Sequence, residues 1–447
     1  MDDPIKLYRE LLDADKERWV ADIPRVEQAL VEAGCHYAGR PFVKVMRPKF
    51  LKRSEYAYLD YVAGVLMGLF RRLTDMVQDS EDLKRYLALS DGERRLIAPE
   101  PLCPDPLPFT RLDSFATADG PRFVELNGEA PAGAGFNDAA MGVLGEHPLI
   151  KNFMERTGAR PIKAMDGVLN GLLKAWRAAG KNSRPTILIT DYAHLPTVPE
   201  FLLLRDHFIA NGFSAVYEDP RALTFEDGRL WAKGEAVDLV YRRVLTNEFL
   251  DKETEVKALF DAYAAQAVVM VNPFRSKAAH KKACFALLSG DHLDTDWMTR
   301  EERGVVARTI PWTRKVRDTK ADLNGEEIDL LPFASAHAER FVLKPSDEYG
   351  GKGVTVGWEC EASEWEKLLQ DAARSDTEEY VLQQRVHTIE EPFPMLDREL
   401  EDQPMIVDLD PYIYFGKVHG VLARLAAGSL CNVTSGGGQI PVLIMPD

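Results

Sequence analysis

The sequence predicts a mixed fold of the α/β (α+β) class, in which a helical region is followed by regions that combine strands and helices. Three observations support this prediction: helical periodicity over the first hundred residues, an alternation of strands and helices between about residues 185 and 275, and strands that end in glycine-rich turns in the rest. The chain has 447 residues, which is enough for roughly two to four domains with cores of their own.

Composition and charge exclude several classes of protein. The net charge of -16 argues against nucleic-acid binding, which requires a basic patch on the surface. The five cysteines lie far apart and form no Cys-x-x-Cys pair, which argues against a structural zinc site or a disulfide framework. The N-terminus has no signal-peptide core, and the most apolar stretch, YLDYVAGVLMGLF, is too short to span a bilayer. We therefore expect a cytoplasmic protein with no nucleic-acid or membrane partner, and the oligomeric state stays open.

Residues 1–100 form a predicted helical region. Apolar residues recur at helical spacing in DIPRVEQALVEAG and in SEYAYLDYVAGVLMGLFRRLTDMV. The run PEPLCPDPLP, from Pro99 to Pro108, interrupts helices and marks a boundary. The next region, 101–184, is expected to begin with strands and to end with a helical stretch that includes VLNGLLKAWRAAG.

Two strand signatures follow this boundary: Arg111-Leu-Asp113 in PFTRLDSF and Glu125-Leu-Asn127 in PRFVELNGE. Positions two apart share one face of a strand, and the Asp-Gly pair between the signatures predicts a hairpin that brings the two faces together. Two carboxylates and an amide oxygen at one place are ligands that suit Mg²⁺ beside substrate phosphates. Arg111 next to them can hold a phosphoryl group with two hydrogen bonds. For this pair taken alone, two polar-faced surface strands are the simpler alternative.

The region 185–275 alternates strands and helices. PTILIT, FSAVYED, VDLVYRRV and AVVMVNPF are predicted strands, and EFLLLRDHFIANG is a predicted helix that Gly212 ends. Strands that alternate with helices in this way favour a parallel sheet with crossover helices. This region is therefore expected to be a separate α/β domain.

The region 276–447 carries a lysine and a glycine-rich loop in FVLKPSDEYGGKGVTVGWE. FVLK is a predicted strand that ends at Lys344, and VTVGW is the returning strand. The lysine offers phosphate a point charge, and Gly350, Gly351 and Gly353 let backbone N–H groups approach phosphate oxygens closely. Because the lysine precedes the glycines, the loop differs from a Walker A loop. A hairpin with a glycine-rich tip is the simpler alternative.

Further polar side chains of this region fall near predicted strand ends and turns. Two adjacent lysines lie on a predicted helix in NPFRSKAAHKKACFALLSG, where either one can bind phosphate or be a solvated surface residue. The strand YVL runs into two glutamines, where the backbone can present an edge to adenine. The C-terminal stretch adds an arginine and an asparagine. These candidates are Lys281, Lys282, Gln383, Gln384, Arg424 and Asn432.

Together these motifs resemble the ATP-grasp superfamily, and the resemblance extends over roughly residues 100–447. Its members typically run from a lysine on a helix and a lysine on a strand, through a glycine-rich lid and an adenine hinge, to R-x-D and E-x-N on two late strands. Here the R-x-D and E-x-N strands come first, which is similar to the order of the circularly permuted members. Within these, the chain resembles the synthetase domain of glutathionylspermidine synthase and its relatives.

Two features depart from that synthetase. A helical segment stands where the bifunctional enzymes carry an N-terminal cysteine amidase domain. Asn432 and the glycines that follow it are more similar to another branch of permuted ATP-grasp proteins. Because of both features, the resemblance does not carry over the glutathione and polyamine substrates.

The resemblance implies a circularly permuted ATP-grasp fold: a helical region, a permuted part with the metal-binding strands, an α/β domain similar to the pre-ATP-grasp domain, and nucleotide-binding subdomains. It implies ATP and Mg²⁺ as cofactors and Arg111 as the catalytic residue that stabilises the transferring phosphoryl group. The implied metal ligands are Asp113, Glu125 and Asn127. The implied ATP-binding residues are Lys344 and one of Lys281 and Lys282 at the phosphates, Gly350, Gly351 and Gly353 in the lid, and Gln383 and Gln384 at the hinge, with Arg424 and Asn432 as further polar candidates.

The reaction that the resemblance implies is a ligation. ATP converts a small-molecule or peptide carboxylate into an acyl phosphate, and an amine attacks it to give an amide. Such a reaction requires positioning, charge neutralisation and exclusion of water rather than a protein nucleophile. Three alternatives stay open: a phosphotransferase on the same fold, a nucleotide-binding protein without turnover, and turns and polar strands without a site. The sequence does not identify the two substrates.

Overall fold

The structure, a computed structural model, describes residues 3–37, 40–375, 378–396, 399–428, 431 and 438–447. It confirms the mixed α+β class, because helices and strands both occur from the first hundred residues to the end of the chain. The described strands include one sheet of six strands and two sheets of four. Within these residues, no helix combines the length and the apolar character that a membrane crossing needs. Asn432 lies outside the described residues.

The first hundred residues are mainly helical, as the sequence predicts. The long third helix buries Leu59, Val62, Leu66 and Phe70 at helical spacing, and this face packs on the largest sheet. A short strand from this region pairs in parallel with the last strand of the chain. The elements are α1 Pro4–Asp13, α2 Lys16–Glu32, β1 His36–Tyr37, β2 Arg40–Pro41, β3 Lys49–Lys52, α3 Arg53–Asp79, α4 Glu81–Tyr86 and α5 Asp91–Ile97.

The largest sheet joins the predicted hairpin to strands from the end of the chain. Its strands are β4 Phe109–Thr117, β5 Gly120–Asn127, β20 Glu390–Pro394, β21 Asp402–Tyr414, β22 Lys417–Ala426 and β23 Gly438–Ile440. Their order is β23-β22-β21-β4-β5, with β20 beside β21, and all neighbours are antiparallel. The hairpin is therefore joined to a strand that begins some three hundred residues later in the sequence.

Three helices follow the hairpin: α6 Ala134–Glu146, α7 Pro148–Thr157 and α8 Ala164–Ala178. Helices α6 and α7 share a core with α1 and α2, and α8 packs between the large sheet and the next region. A small sheet places β24 Val442–Met445 between β3 and β6 Arg160–Pro161. The last residues of the chain thus connect the first helices to the middle of the molecule.

The next region is the expected α/β unit with a parallel sheet. Its elements are β7 Thr186–Thr190, α9 Val198–Ala210, β8 Ser214–Glu218, β9 Thr224–Glu226, β10 Arg229–Ala232, β11 Glu235–Val237, β12 Leu239–Arg242, α10 Thr246–Asp251, α11 Glu253–Ala264 and β13 Val269–Val271. The parallel order is β13-β12-β7-β8, and β9, β10 and β11 form a small antiparallel sheet. Gly212 follows α9 with a φ of 82°, the left-handed conformation that glycine favours after a helix.

The remaining region contains a second four-stranded sheet, with antiparallel order β14-β19-β17-β18. The predicted strands FVLK and VTVGW correspond to β17 and β18, which pair as a hairpin around the glycine-rich loop. The elements are α12 Lys277–His280, α13 Ala283–Leu288, α14 Arg300–Thr309, β14 Thr313–Lys315, β15 Lys320–Leu323, β16 Glu326–Asp329, α15 Leu330–Ala336, β17 Phe341–Pro345, β18 Thr355–Val356, α16 Ala362–Arg374 and β19 Tyr380–Gln384. The division of the chain at residues 100, 184 and 275 stays a prediction.

Candidate functional site

Two cavities of the described structure meet at one shared wall. The larger cavity, of about 320 Å³, lies between the large sheet and the β14-β19-β17-β18 sheet. The smaller cavity, of about 250 Å³, lies between the hairpin and the carboxyl ends of the parallel sheet. Asp113, Glu125 and Arg424 line both cavities. Groups bound in the two cavities would therefore face each other across these three side chains.

The β4–β5 hairpin brings the two predicted signatures together. In its register Arg111 is opposite Asn127 and Asp113 is opposite Glu125, and the two strands turn at the predicted Asp-Gly. Asn127 donates a hydrogen bond of 2.8 Å from Nδ2 to Asp113 Oδ1. The convergence of these four side chains, predicted from the alternation of polar residues, is confirmed.

Asp113 is buried between two arginines. Arg111 donates to it from Nε at 2.8 Å and from Nη2 at 3.1 Å, and Arg424 donates from Nη2 at 2.8 Å. Burial alone would raise the pKa of the Asp113 carboxyl, but the two guanidinium groups lower it below its usual range. Asp113 therefore stays ionised and fixes Arg424 in the shared wall and Arg111 beside it.

The same arginine cluster contains two further buried carboxyls, Asp408 and Asp410 of β21. Arg424 lies 2.6 Å from Asp408 Oδ2 and 2.9 Å from Asp410 Oδ2. Burial raises the pKa of Asp408 to about 6 and raises that of Asp410 well above its usual value. Two arginines thus face three carboxyls, and the raised pKa of Asp410 favours its protonated form. Sequence reasoning missed both aspartates, although their i, i+2 spacing in DLD is the same signal that found Arg111 and Asp113.

The fit of the predicted Mg²⁺ ligands differs among the three residues. Glu125 faces the shared wall with a partly buried carboxylate, and Asn127 donates from its nitrogen and keeps its amide oxygen as an acceptor. Both suit a cation that takes one or two protein carboxylates and completes its shell with phosphate and water. Both oxygens of Asp113 already accept from arginine, and among the described residues no group of three histidine, cysteine or carboxylate side chains is arranged as a metal site. Glu125 and Asn127 fit the ion better than Asp113 does, and the metal roles of all three stay predictions.

Lys344 projects from β17 into the larger cavity. Its Nζ donates to Gln383 Oε1 at 2.7 Å and to the Val124 carbonyl at 3.4 Å. Burial, together with the charge of Lys282, lowers the pKa of Lys344 to about 8 despite the opposing charge of Glu125. A phosphate group in this cavity would stabilise the charged form of the lysine.

Of the two adjacent lysines, Lys282 is the one beside the site. Its Nζ lies 3.4 Å from Glu125 Oε1 and donates to the Glu348 carbonyl. Lys281 instead contacts Glu93 at 3.0 Å and Asp347 at 3.1 Å. This arrangement favours Lys282 over Lys281 as a phosphate ligand.

The prediction that one helix carries both lysines is wrong. Lys281 and Lys282 lie in a break between α12 and α13, where Lys281 has extended backbone angles. The break exists because Ser346, at the start of the glycine loop, binds the helix backbone. Its carbonyl accepts from the N–H of Lys282 at 2.8 Å, and its hydroxyl accepts from the N–H of Ala283 at 3.2 Å.

The glycine-rich loop covers the place where the two cavities meet. Gly350 lines the smaller cavity and Gly351 lines the larger one. The φ angles of 65° at Gly350, 79° at Gly351 and 69° at Gly353 favour glycine, and a Cβ on Gly353 would lie 2.6 Å from Pro345 Cγ. The loop sequence therefore matches the backbone conformation that it adopts.

Buried charges fix the base of this loop. Asp347 accepts from Lys277 at 2.5 Å, and Lys277 also lies 3.5 Å from the buried Glu129, which follows β5. Asn272 holds the backbone around Glu129, because its Nδ2 donates to the carbonyls of Gly128 and Glu129. None of these residues was found from the sequence, since their partners are far away along the chain.

The expected hinge lies within the sheet rather than at its edge. Gln383 and Gln384 are in β19, which pairs with β14 on one side and β17 on the other. The N–H of Gln384 donates to the Trp312 carbonyl at 2.8 Å. The N–H of Arg385 likewise donates to the Arg340 carbonyl at 2.7 Å, so the next residues along the larger cavity, 386–388, are better placed to present a backbone edge to a base than the glutamines are. Gln383 instead orients Lys344.

Comparison with known proteins adds the fold. No family model matches the sequence, and no curated protein matches it. A glutathione synthetase-like effector from Globodera pallida, in its apo form, has a similar structure with a TM-score of 0.61 and 13% identity, over 100% of this chain and 98% of that one. A "putative gamma-glutamylcysteine synthetase" from Methylobacillus flagellatus KT reaches a TM-score of 0.42 at 12% identity, over 85% of this chain and 88% of that one, which is too weak to support an argument. The chain thus has a fold similar to that of the glutathione synthetase-like effector.

Proposed function

We propose that this protein is an ATP-dependent carboxylate–amine ligase that forms an amide through an acyl phosphate. The observation that carries the proposal is the wall of Asp113, Glu125 and Arg424 between the two cavities. ATP in the larger cavity would direct its γ-phosphate at this wall, and a carboxylate substrate in the smaller cavity would meet it there. Transfer between two bound groups then depends mainly on positioning and charge.

The cationic side chains around the wall suit this chemistry. Lys344 and Lys282 would hold phosphate oxygens from one side, and Arg111 and Arg424, fixed by Asp113, would face the transferring group from the other. Mg²⁺ held by Glu125, Asn127 and the phosphates would neutralise charge on the triphosphate. The glycine-rich loop over the junction would keep water from the acyl phosphate.

The position of the hairpin also supports a permuted ATP-grasp arrangement. The R-x-D and E-x-N strands precede the lysine and the glycine-rich loop in the sequence, yet they pair with β21 of the C-terminal part in one sheet. The similarity in fold to the glutathione synthetase-like effector fits the same proposal. We infer a small-molecule or peptide carboxylate and an amine as substrates, in the manner of the glutathionylspermidine synthase-like ligases.

Trapping with hydroxylamine tests the proposed function. The protein is incubated with Mg·ATP, hydroxylamine and a panel of carboxylates, and ADP and hydroxamate are measured. We expect hydroxamate with at least one carboxylate, in a one-to-one ratio to ADP, because hydroxylamine attacks an acyl phosphate. ADP formed together with a stable phosphorylated product and no hydroxamate would establish a phosphotransferase instead. Binding of ATP without ADP formation on any panel member would establish a non-catalytic nucleotide-binding protein.

Lys344→Met is expected to weaken ATP binding by about 10- to 100-fold, because a hydrogen bond to a charged group contributes about 1.5–3 kcal/mol. Since the pKa of Lys344 is lowered to about 8, the wild-type affinity should also fall as the pH rises through that value and the ammonium loses its proton. The variant should lack this pH dependence. Titration calorimetry with Mg·ATP between pH 6.5 and 9 measures both effects.

The exposed Lys367 on α16 provides the matched control. Lys367→Met should bind ATP with the wild-type affinity and the wild-type pH dependence. Unchanged affinity in Lys344→Met would remove this lysine from the nucleotide site.

A further inference from the structure

The smaller cavity extends from the shared wall to the point where the parallel sheet changes direction. The chain passes from β7 to its neighbour β8 on one side, and then to β12 and β13 on the other side. In open parallel sheets, the crevice at the carboxyl ends of the two strands where this reversal occurs is the usual place for a ligand. Asp191 follows β7 directly, Arg243 follows β12 directly, and both line the cavity.

Asp191 is a buried carboxyl without a cation. The residue is 5% exposed. Within the described residues its carboxylate accepts one hydrogen bond, from the N–H of Tyr192 at 2.9 Å. Of the lysines, arginines and histidines that the structure describes, none lies within ion-pair distance of the Asp191 carboxylate. A carboxylate that faces a cavity under these conditions lacks the counter-charge that buried carboxylates ordinarily have.

Arg243 does not form an ion pair with Asp191: its Nη donors are directed elsewhere, and its buried Nε has no hydrogen-bond partner among the described residues. Nη1 donates to the Pro131 carbonyl at 2.8 Å and to the Tyr241 hydroxyl at 2.9 Å, and Nη2 donates to the Ala130 carbonyl at 3.0 Å. Arg243 therefore holds the 130–131 segment against the sheet. Its charge lowers the pKa of Asp191 only in part.

The other charged groups around Asp191 add negative charge. Glu248 on α10 lines the same cavity, and its carboxylate accepts from the Leu245 N–H at 3.3 Å and from the Tyr349 hydroxyl of the glycine loop at 3.3 Å. Asp219 after β8 is neutralised by Arg221 at 2.7 Å. The hydroxyl groups of the neighbouring tyrosines donate to backbone carbonyls: Tyr192 to Glu248, and Tyr217 to Asp191 and Tyr192. The end of the cavity thus offers two carboxylates, Asp191 and Glu248, beside one arginine, Arg243, and within the described residues neither carboxylate forms an ion pair.

We propose that this end of the smaller cavity binds the ammonium group of the amine substrate and that Asp191 accepts the proton that the ammonium must lose before it attacks. The proposal rests on the proposed ligase function and adds to it a residue and a binding end. A primary ammonium supplies the missing counter-charge. Phe201 and Leu195, which line the same cavity, accommodate an alkyl chain.

The step balances in atoms and charge. One proton moves from R–NH₃⁺ to the Asp191 carboxylate, which leaves a neutral amine. The nitrogen lone pair then forms the C–N bond to the acyl carbon, and the bond from that carbon to the phosphate oxygen breaks with its electron pair on phosphate. The second nitrogen proton goes to the departing phosphate, which leaves as hydrogen phosphate. Asp191 finally releases its proton to water.

The protonation equilibrium of Asp191 suits this role. Burial, with smaller effects of Glu248 and Asp219, raises the pKa of Asp191 to about 7 despite the hydrogen bond from Tyr192 and the charge of Arg243. A general base is most effective when its pKa lies near the working pH. Because the carboxylate form binds ammonium, amine binding should weaken as the pH falls below about 7.

Ligand-observed NMR tests the ammonium site without turnover. Saturation transfer is measured from the protein to n-propylammonium and to its neutral analogue n-propanol, at pH 8 and at pH 5.5. The wild type and Asp206→Asn, a control on the exposed side of α9, should bind propylammonium at pH 8 at least tenfold more tightly than propanol. Asp191→Asn, which keeps an acceptor for the Tyr192 N–H, should bind both probes equally. Equal propylammonium binding by the wild type and Asp191→Asn would overturn the proposal.

Turnover separates the proton-accepting role from binding. Hydroxylamine is largely unprotonated at neutral pH, so its attack needs no base. Asp191→Asn should therefore form hydroxamate within about twofold of the wild-type rate, while its amide formation with primary amines falls by about 10²-fold or more. An equal loss with both nucleophiles would mean that Asp191 only maintains the cavity. If no carboxylate yields hydroxamate in the wild type, the ligase function fails, and the NMR result still decides whether the ammonium site exists.

Discussion

Glu125→Gln is expected to lower ATP-dependent turnover by on the order of 10²–10³-fold while the protein stays folded. Glu125 lies in the wall between the cavities, and its side chain is 15% exposed. Unlike Asp113, it is not paired with arginine; its one described ion pair is with Lys282 at 3.4 Å. The glutamine keeps the size of the side chain but removes the charge that a divalent cation and two lysines would share.

The measurement is ADP formation with a carboxylate identified by hydroxylamine trapping, at saturating ATP and over a range of Mg²⁺ concentrations. The apparent Mg²⁺ requirement should rise in the variant, because one charged ligand is lost. Glu366→Gln, on the exposed face of α16, is the matched control and should behave as the wild type. Wild-type turnover and wild-type Mg²⁺ dependence in Glu125→Gln would exclude the metal role of this residue.

The hairpin could be predicted from the sequence because its information is local. Polar residues two apart in each strand and an Asp-Gly turn between the strands determine which side chains converge. The register that places Asp113 opposite Glu125 confirms this interpretation. The parallel sheet is predictable for the same reason, since its strands and helices alternate with clear apolar runs.

The contacts that complete the site could not be predicted, even where a partner such as Arg424 is itself a candidate from the sequence, because they join distant parts of the chain. Arg424 reaches Asp113 across 311 residues, and this contact depends on β21 pairing with β4. The break between α12 and α13 has a similar origin: hydrogen bonds to Ser346 override a sequence that is periodic enough for one helix. Whether β19 is a central or an edge strand also depends on its neighbours, so the sequence predicts the backbone edge at Gln383 and Gln384, and the structure favours the segment that follows them.

Asp113→Asn is expected to lower the free energy of unfolding by about 3–5 kcal/mol, because it removes the charge between two buried arginines. Oδ1 of Asp113 accepts from Arg111 Nε and Asn127 Nδ2, and Oδ2 accepts from Arg111 Nη2 and Arg424 Nη2. An amide in this place would direct N–H groups at two other donors, whichever way it is turned. Thermal unfolding followed by circular dichroism measures the loss.

The pH dependence of this loss in stability distinguishes a buried carboxyl that is ionised from one that is protonated. The folded pKa of Asp113 is lowered by Arg111 and Arg424, so its stabilising effect is present above the unfolded value and is lost as the pH falls through the folded value. The loss in the free energy of unfolding that Asp113→Asn causes should therefore become smaller as the pH falls below about 4. The folded pKa of Asp410 is raised by burial and by its neighbouring aspartates, so the stability effect of this carboxyl should depend on pH in the opposite direction.

In the wild type, the protonated form of Asp410 stabilises the fold, and this effect is lost as the pH rises from the unfolded pKa towards the raised folded pKa. The amide introduced by Asp410→Asn has no proton to lose in this range, so the deficit of that variant should decrease as the pH rises from about 4 to about 8. Opposite slopes in the two variants would mean that the cluster of two arginines and three aspartates holds one proton and is electrically balanced before any substrate binds. Slopes of the same sign would mean that all three carboxyls are ionised, and the shared wall would then attract cations instead of a transferring phosphoryl group.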